Sequence, residues 1–494
     1  MSLSTLIILV YQVMAIAGII HVVMNGRQPA KTMAWALVIY FVPIAGLVAY
    51  VFFGVNRRKE RMISQRSLDQ LTRRSMMGYV EQQYDQHVPD AQQPLVDLFI
   101  NESFSLPFSQ SQVEMQKSGY EFFPSLLSDI AQAQSHIHIE MYIFLDDALG
   151  RLVSDALIAK ARQGVEIRII YDHVGSWSVK NSFFEHLREE GIEVEPFIPV
   201  RFPRLTSKAN YRNHRKIIVV DGRVGYIGGM NIALRYVKGP EVSKGKGVGE
   251  GTPIWRDTMV RVEGSAVYAL QRVFLTDWYF VDRTLLSDRK YYPENLTTTN
   301  DQLANDHTAQ VLSLFQTVTS GPAAEYPEIM QGYLRIIMAA RHYVYIETPY
   351  FLPTESIFFA LKTAVASGVE VRVLVPRHCD AWFVEWASRS YLREAVESGI
   401  QVDLYEPGFL HSKLMVCDDQ VCTCGSTNVD FRSFENNFEV NLFMYGEDEA
   451  LRMKQLFLDD DAQSTPLTDL TERVNPAFFP RLGESLAHLF SPLL

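Results

Sequence analysis

Cysteine is scarce in this chain: Cys379, Cys417, Cys422 and Cys424 are the only four in 494 residues, all in the second half. So few thiols exclude a disulfide framework, and no histidine–cysteine cluster around them has zinc-ligand spacing. They read as reduced core or turn residues. P-loop and dinucleotide-binding glycine patterns are missing too. Net positive charge is absent: 46 basic residues against 57 acidic leave −11. That balance argues against a general nucleic-acid binder. Disorder is excluded in turn, because 47% of residues are hydrophobic and only 21% charged. The length suits two or three domains.

Charge is missing altogether from residues 1 to 26 and again from Thr32 to Asn56. Each stretch offers the roughly 20 residues that a helix needs to span about 30 Å of hydrocarbon. Membrane helices tolerate residues such as Pro43 and Gly46. No basic residue precedes the first run, so it makes a poor signal peptide. The expectation is a two-helix transmembrane hairpin over residues 1–56. Arg27 and Lys31 lie between the runs, whereas Arg57, Arg58, Lys59, Arg61 and Arg66 follow the second. The basic excess places the large C-terminal part on the cytoplasmic side. Residues 57–112, with polar clusters such as Asp85 to Asp90, read as a cytoplasmic connector.

Beyond the connector the chain repeats itself. In the first lobe, residues 113–285, a helix over Tyr120–Ala133 precedes a strand over His136–Phe144. A helix, Gly164, and a strand over Val165–Asp172 follow. In the second lobe, residues 311–465, a helix over Tyr333–Ala340 precedes the strand Tyr343–Phe351, then a helix, Gly368 and a strand to Val375. Strands alternating with helices of 10 to 15 residues predict α/β units with a mostly parallel sheet. Residues 286–310 read as the inter-lobe connector. The tail, 466–494, mixes Phe478, Phe479, Leu482, Leu486, Leu489 and Phe490 with Arg481, Glu484 and His488. It suits a helix lying on a membrane or one packed against the second lobe.

Each lobe carries one copy of the same short motif. Asn213-His214-Arg215-Lys216 leads into an apolar strand that ends at Asp221, and Gly228, Gly229 and Asn231 follow. His411-Ser412-Lys413 leads into a strand ending at Asp418, followed by Gly425, Ser426, Thr427 and Asn428. In both copies His to Lys is two residues, Lys to Asp five and Asp to Gly seven. Residues two apart on a strand share a face. Two His–Lys pairs on one site suit phosphoryl transfer. Lysines neutralise phosphate oxygens, one imidazole attacks phosphorus, and the other handles the leaving-group and acceptor protons. The two imidazoles then need opposite protonation states. Each also wants a carboxylate on its far nitrogen, for which Asp257 in the first lobe and Glu439 in the second are candidates.

Asp221 and Asp418 complete the motifs and count with the catalytic set, although a strand-end position favours a supporting role. Asn231, Asn428, Ser426, Arg212, Arg215, Glu140 and Glu347 are candidate substrate-binding residues. Arg201, Arg204, Lys208, Arg212, Arg215 and Lys216 form a basic run interleaved with Phe202, Pro203, Leu205 and Tyr211. Such a wall suits an anionic headgroup with an acyl chain nearby. Neither a metal nor another cofactor is expected.

These motifs resemble the phospholipase D superfamily, whose mark is His-x-Lys-x4-Asp in two copies. Both are complete here, and Gly425 to Ser433 continues the second in the family's manner. The first departs at Gly229, where serine is common. Within that superfamily, Trp255-Arg256-Asp257-Thr258, Asn437-Phe438-Glu439-Val440-Asn441 and the apolar N-terminus look like bacterial cardiolipin synthases. The resemblance covers essentially the whole chain. It implies two tandem phospholipase D-like α/β lobes around one active site and a multi-pass protein of a bacterial cell membrane. It also implies transfer of a phosphatidyl group between two phosphatidylglycerols, giving cardiolipin and glycerol. His214 would be the nucleophile, His411 the general acid and base, and Asp257 and Glu439 the orienting acids. Membrane phospholipids are the implied partners, not nucleic acid. The alternative is hydrolysis, or transfer to another alcohol.

Overall fold

The computed structural model describes residues 3–25, 29–50, 88, 90–109, 111–200, 211–238, 254–292, 313–322, 324 and 326–491. The basic residues Arg57 to Arg66, most of the expected connectors, and Arg201, Arg204 and Lys208 lie outside these. The chain forms two compact units, Met1–Met62 with Val200–Tyr211, and Ile63–Pro199 with Arg212–Leu494.

The smaller unit corrects the membrane reading. Its described residues form the helices α1 (Leu3–Asn25), α2 (Pro29–Phe41) and α3 (Pro43–Ala49). Among the described residues, no helix is long and apolar enough to cross a membrane. The second charge-free stretch breaks before Pro43, which has no amide hydrogen and opens α3 behind a non-helical Val42 (φ −127°, ψ 76°). The 13 residues of α2 rise about 20 Å at the α-helical pitch, short of the hydrocarbon thickness. The first stretch is one helix whose apolar run Gln12 and His21 interrupt. It is tied to α2, where the Tyr11 hydroxyl donates to the Ile39 carbonyl at 3.3 Å, and Val22, Ile39 and Tyr50 form a small buried cluster. The transmembrane hairpin, the multi-pass topology and the cytoplasmic placement derived from it are therefore overturned.

The larger unit contains the two lobes. The first lobe's seven-stranded sheet runs, edge to edge, Ser111–Gln116, Met259–Gly264, Val224–Gly228, Lys216–Val220, His136–Met141, Glu166–Asp172, Glu193–Phe197. The second lobe repeats that order as Leu314–Ser320, Glu439–Tyr445, Val421–Gly425, Leu414–Cys417, Tyr343–Glu347, Glu370–Pro376, Gln401–Tyr405. It adds Pro107–Phe108 at one edge and Ser464–Pro466 at the other. The sheets are mixed rather than mostly parallel. The last three strands of each repeat are parallel, linked by helices, while the motif strand pairs antiparallel with both neighbours.

Side-chain alternation shows why the motif strands read as unbroken apolar runs. Ile217 and Val219 join one core and Ile218 and Val220 another. Leu414 and Val416 join the first of these, while Met415 and Cys417 face a third core. A strand buried on both faces has no polar side to show. The shared core takes residues from both lobes, including Val260, Val262, Val440 and Leu442. The lobes thus have a common hydrophobic centre. The segment expected as a connector also contributes. Helix Gln93–Ser103 packs Phe99 against Phe443 of the second lobe at 4.6 Å, and Pro107–Phe108 extends that lobe's sheet.

Candidate active site

Each motif strand begins where it touches the opposite lobe. The His214 amide donates to the Phe438 carbonyl at 2.9 Å, and the Phe438 amide returns a bond to Arg212 at 2.8 Å. In the other half, Phe409–Leu410 runs parallel to Trp255–Arg256, and the His411 amide donates to the Arg256 carbonyl at 2.6 Å. The two arrangements are related as the repeats are. Each brings the lead-in of one motif against the segment that carries the other lobe's acid.

That exchange decides the His–acid pairs. His214 Nδ1 lies 3.0 Å from Glu439, and His411 Nδ1 lies 2.6 Å from Asp257. Each imidazole is oriented by a carboxylate from the opposite lobe, not by the acid of its own lobe. Glu439 is itself held by the Ser426 hydroxyl and by Asn437 Nδ2 at 3.1 Å. Asp257 accepts from the Thr258 amide at 2.8 Å. Gly229 stands where the second lobe has Ser426, and a Cβ there would lie 2.1 Å from Asp257 Oδ1. The glycine leaves room for the carboxylate, which explains the departure from serine.

All of these groups are buried, and burial dominates their titration. It pushes His214 below the ordinary histidine pKa, against the pull of Glu439. Burial, followed by the Lys413 charge, lowers His411 to about 3. Both imidazoles are therefore neutral in the free protein, where opposite states were expected; two lysines crowd the same site, so neither ring takes a proton easily. The His411–Asp257 contact is a hydrogen bond from a neutral ring to an anion rather than a pair of charges. Burial would raise Asp257 and Glu439, but the Lys413 charge and the His411 contact at Asp257, and the His214 contact followed by the Lys216 charge at Glu439, outweigh it and hold both below the usual carboxylate value.

Lys216 and Lys413 complete one electropositive centre. Burial sets Lys216 well below the ordinary lysine value and Lys413 down to about 8. Lys413 also depresses Lys216 and His214, while Lys216 depresses His411, so the two motifs share one field. Each ammonium donates to the carbonyl of its own motif histidine. Tyr142 lies edge-on to His214, with ring centroids 4.8 Å apart, and beneath Lys216 Nζ at 5.1 Å. Trp255 and Phe409 flank His411 at 4.9 and 5.7 Å.

Other candidate residues are held by partners of their own. Asp221 and Asp418 cap the far ends of the motif strands. Asp221 accepts from the amides of Gln134, Ser135 and His136 at 2.8 to 2.9 Å. Asp418 does the same for Arg341, His342 and Tyr343 at 2.6 to 2.9 Å. Their carboxylates are occupied by backbone, away from the histidines. Asn231 is satisfied by the Ile143 amide and the Tyr236 hydroxyl, both at 3.0 Å. Asn428 Nδ2 donates to Asp430 at 3.0 Å, and Arg212 bonds Asp172 at 3.3 Å.

Arg215, Glu140 and Glu347 do not line a cleft. Arg215 is buried, paired with Asp277, and donates to the carbonyl of Glu439 at 3.1 Å. Glu140 accepts from Asn213 Nδ2 at 2.6 Å and faces Asp277. On the other side Glu347 and Asp460 of the second lobe meet Arg256 of the first, which pairs with Asp460 at 2.7 Å. Burial and then the neighbouring aspartate raise both glutamates well above the carboxylate range, so each is neutral. Two trios of like composition, each a neutral glutamate, an aspartate and an arginine, thus underlie the motifs, the first within one lobe and the second across both. Asp277 and Asp460 lie in helices without motif signals, so the sequence did not reveal them. Nor did it single out Tyr142, whose one signal was its nearness to the Glu140 strand.

A mixed α/β sheet duplicated around paired His–Lys motifs, each histidine braced by the other lobe's carboxylate, defines a two-lobed phosphoryl-transfer enzyme. The family described as "Cardiolipin synthase, PLD-like domain" matches residues 126–240 and 333–460, and "Phospholipase_D-nuclease N-terminal" matches 13–54. The chain is 36% identical over 510 residues to a cardiolipin synthase of Oceanobacillus iheyensis, covering 100% of both chains. To the major cardiolipin synthase of Bacillus subtilis it is 33% identical over 504 residues, again covering 100% of both. A phosphatidylserine synthase structure from Haemophilus influenzae shares the fold, with TM-score 0.61 at 16% identity over 82% of this chain and 100% of that one. The chain belongs to the cardiolipin synthase family of phospholipase D-like enzymes.

Proposed function

We propose that this enzyme transfers a phosphatidyl group from one phosphatidylglycerol to another, making cardiolipin and releasing glycerol. The observation that carries the reading is the pair of neutral, buried imidazoles, each braced at Nδ1 by a carboxylate. An Nδ1–H donated to the acid leaves Nε2 with a free lone pair. His214 Nε2 attacks phosphorus, the P–O bond to glycerol breaks, and a phosphatidyl-histidine forms. His411 supplies the proton to the departing glycerol oxygen. It then removes the proton from the primary hydroxyl of a second phosphatidylglycerol. That oxygen attacks phosphorus, the P–N bond breaks, and His214 is regenerated.

Lys216 and Lys413 supply the charge that stabilises the phosphate oxygens. The bound phosphate in turn supplies the negative charge that allows His411 to hold a proton. One phosphodiester replaces another, so the bond energies nearly cancel. Direction then follows the high concentration of donor lipid.

Purified protein incubated with phosphatidylglycerol tests the reading. Cardiolipin and glycerol should appear in equal amounts. Accumulation of phosphatidic acid in their place would overturn transfer in favour of hydrolysis. Acid-free trapping with radiolabelled donor, followed by peptide mapping, should place the phosphatidyl group on His214. Label on His411 alone would reverse the two roles.

A further inference from the structure

The tail forms helix Phe478–His488, packed along helix Trp382–Glu397 of the second lobe. Its inner face is well anchored. Glu484 is buried and paired with Arg393 and Arg389, and His488 lies 4.3 Å from the Tyr391 ring. Gly483 admits Trp386, since a Cβ there would meet its ring at 2.7 Å. The outer face is unlike an ordinary protein surface. Phe478 is 71% exposed, Phe479 81% and Leu489 75%, with Leu482 and Leu486 between them. Trp382 of the neighbouring helix adds a ring that is 68% exposed. Single exposed apolar residues are normal, but a contiguous set with three aromatics marks an interaction surface.

We propose that this face docks on an anionic phospholipid bilayer. Charge points to that occupant. The helix's one acid, Glu484, is turned inward and neutralised by arginines, while Arg481 is exposed among the apolar side chains. A stripe of Phe and Leu with a basic residue, lacking any outward acid, matches an interfacial helix on anionic lipid. Exposed Trp and Phe suit the headgroup boundary. This rests on the reading of a lipid substrate: an enzyme whose donor and acceptor both sit in a bilayer gains from being held at its surface. The docking is peripheral and needs no spanning helix.

The test uses the full-length protein and vesicles of phosphatidylglycerol mixed with phosphatidylcholine, against phosphatidylcholine alone. An environment-sensitive fluorophore on Phe479→Cys should shift to the blue with the anionic vesicles and much less with neutral ones. The triple variant Phe478→Ser, Phe479→Ser, Leu489→Ser should lose at least tenfold in turnover on vesicles. Its turnover in detergent micelles of phosphatidylglycerol and its thermal unfolding should match the parent. An unshifted fluorophore, or equal losses on vesicles and micelles, would overturn the proposal. So would a spectral shift that follows protein concentration instead of lipid, because a second copy would then be the occupant. Failure of the parent in micelles would sink the catalytic reading alone, since the fluorophore reports docking without turnover.

Discussion

Gly229 and Ser426 occupy matched positions and reach the same end by different means. Ser426 holds Glu439 with its hydroxyl, whereas Gly229 gives Asp257 the space that a side chain would fill. Gly229→Ala should push Asp257 off His411 and lower kcat by about 100-fold, the scale expected of a small misplacement at a reacting centre. Steady-state kinetics and a melting curve would check this, with stability falling far less than turnover. Lys413 sets a second expectation. Its pKa of about 8 means that it carries charge below that pH and loses it above. kcat/KM should therefore fall as pH rises through about 8, and Lys413→Arg should flatten that limb. The histidines and lysines were legible because their spacing repeats, and the two acids as downstream candidates that the family resemblance picked out. The pairing of acid with histidine was not, since nothing in the spacing says that Asp257 crosses to His411.

At the scale of elements, the motif aspartates belong to turns. Asp221 and Gly222 both have positive φ (53° and 63°), as do Asp418 and Asp419 (53° and 55°). Two successive left-handed residues make the tight hairpin turn that matches strand twist. The Asp221 carboxylate then reaches the start of the adjacent strand and holds three amides there. Asp221→Ala should cost about 1–3 kcal/mol, the price of leaving such amides unpaired, measurable by denaturant unfolding, with kcat within about twofold of the parent. A large loss of kcat at unchanged stability would return Asp221 to the chemistry. Element identity was legible in the alternating pattern of strand and helix. The N-terminal spans were misjudged because a count of apolar residues ignores where the backbone breaks. Pro43 divides the second run, whatever its hydropathy.

At the scale of the whole molecule, the lobes are locked by buried polar trios as well as by the shared apolar core. Arg215 joins Asp277 of its own lobe to the Glu439 carbonyl of the other, and so ties the brace of His214 to the first lobe. Asp277→Ala would leave that guanidinium buried without its counter-ion. Loss of one partner from a buried pair costs about 3–5 kcal/mol. Glu140→Gln should cost under about 1 kcal/mol by the same unfolding assay, because the carboxyl it replaces is already neutral and the amide keeps its shape. Equal destabilisation by both would refute the neutral assignment.

Residue order dictated the duplication, the α/β elements and the chemistry of the motifs, since these depend on spacing along one strand and on residue type. Packing alone selected which acid serves which histidine, which charges lie buried as struts and which face of the tail stays bare. Those depend on contacts between residues as far apart as 225 positions in the case of His214 and Glu439, and no local pattern encodes them.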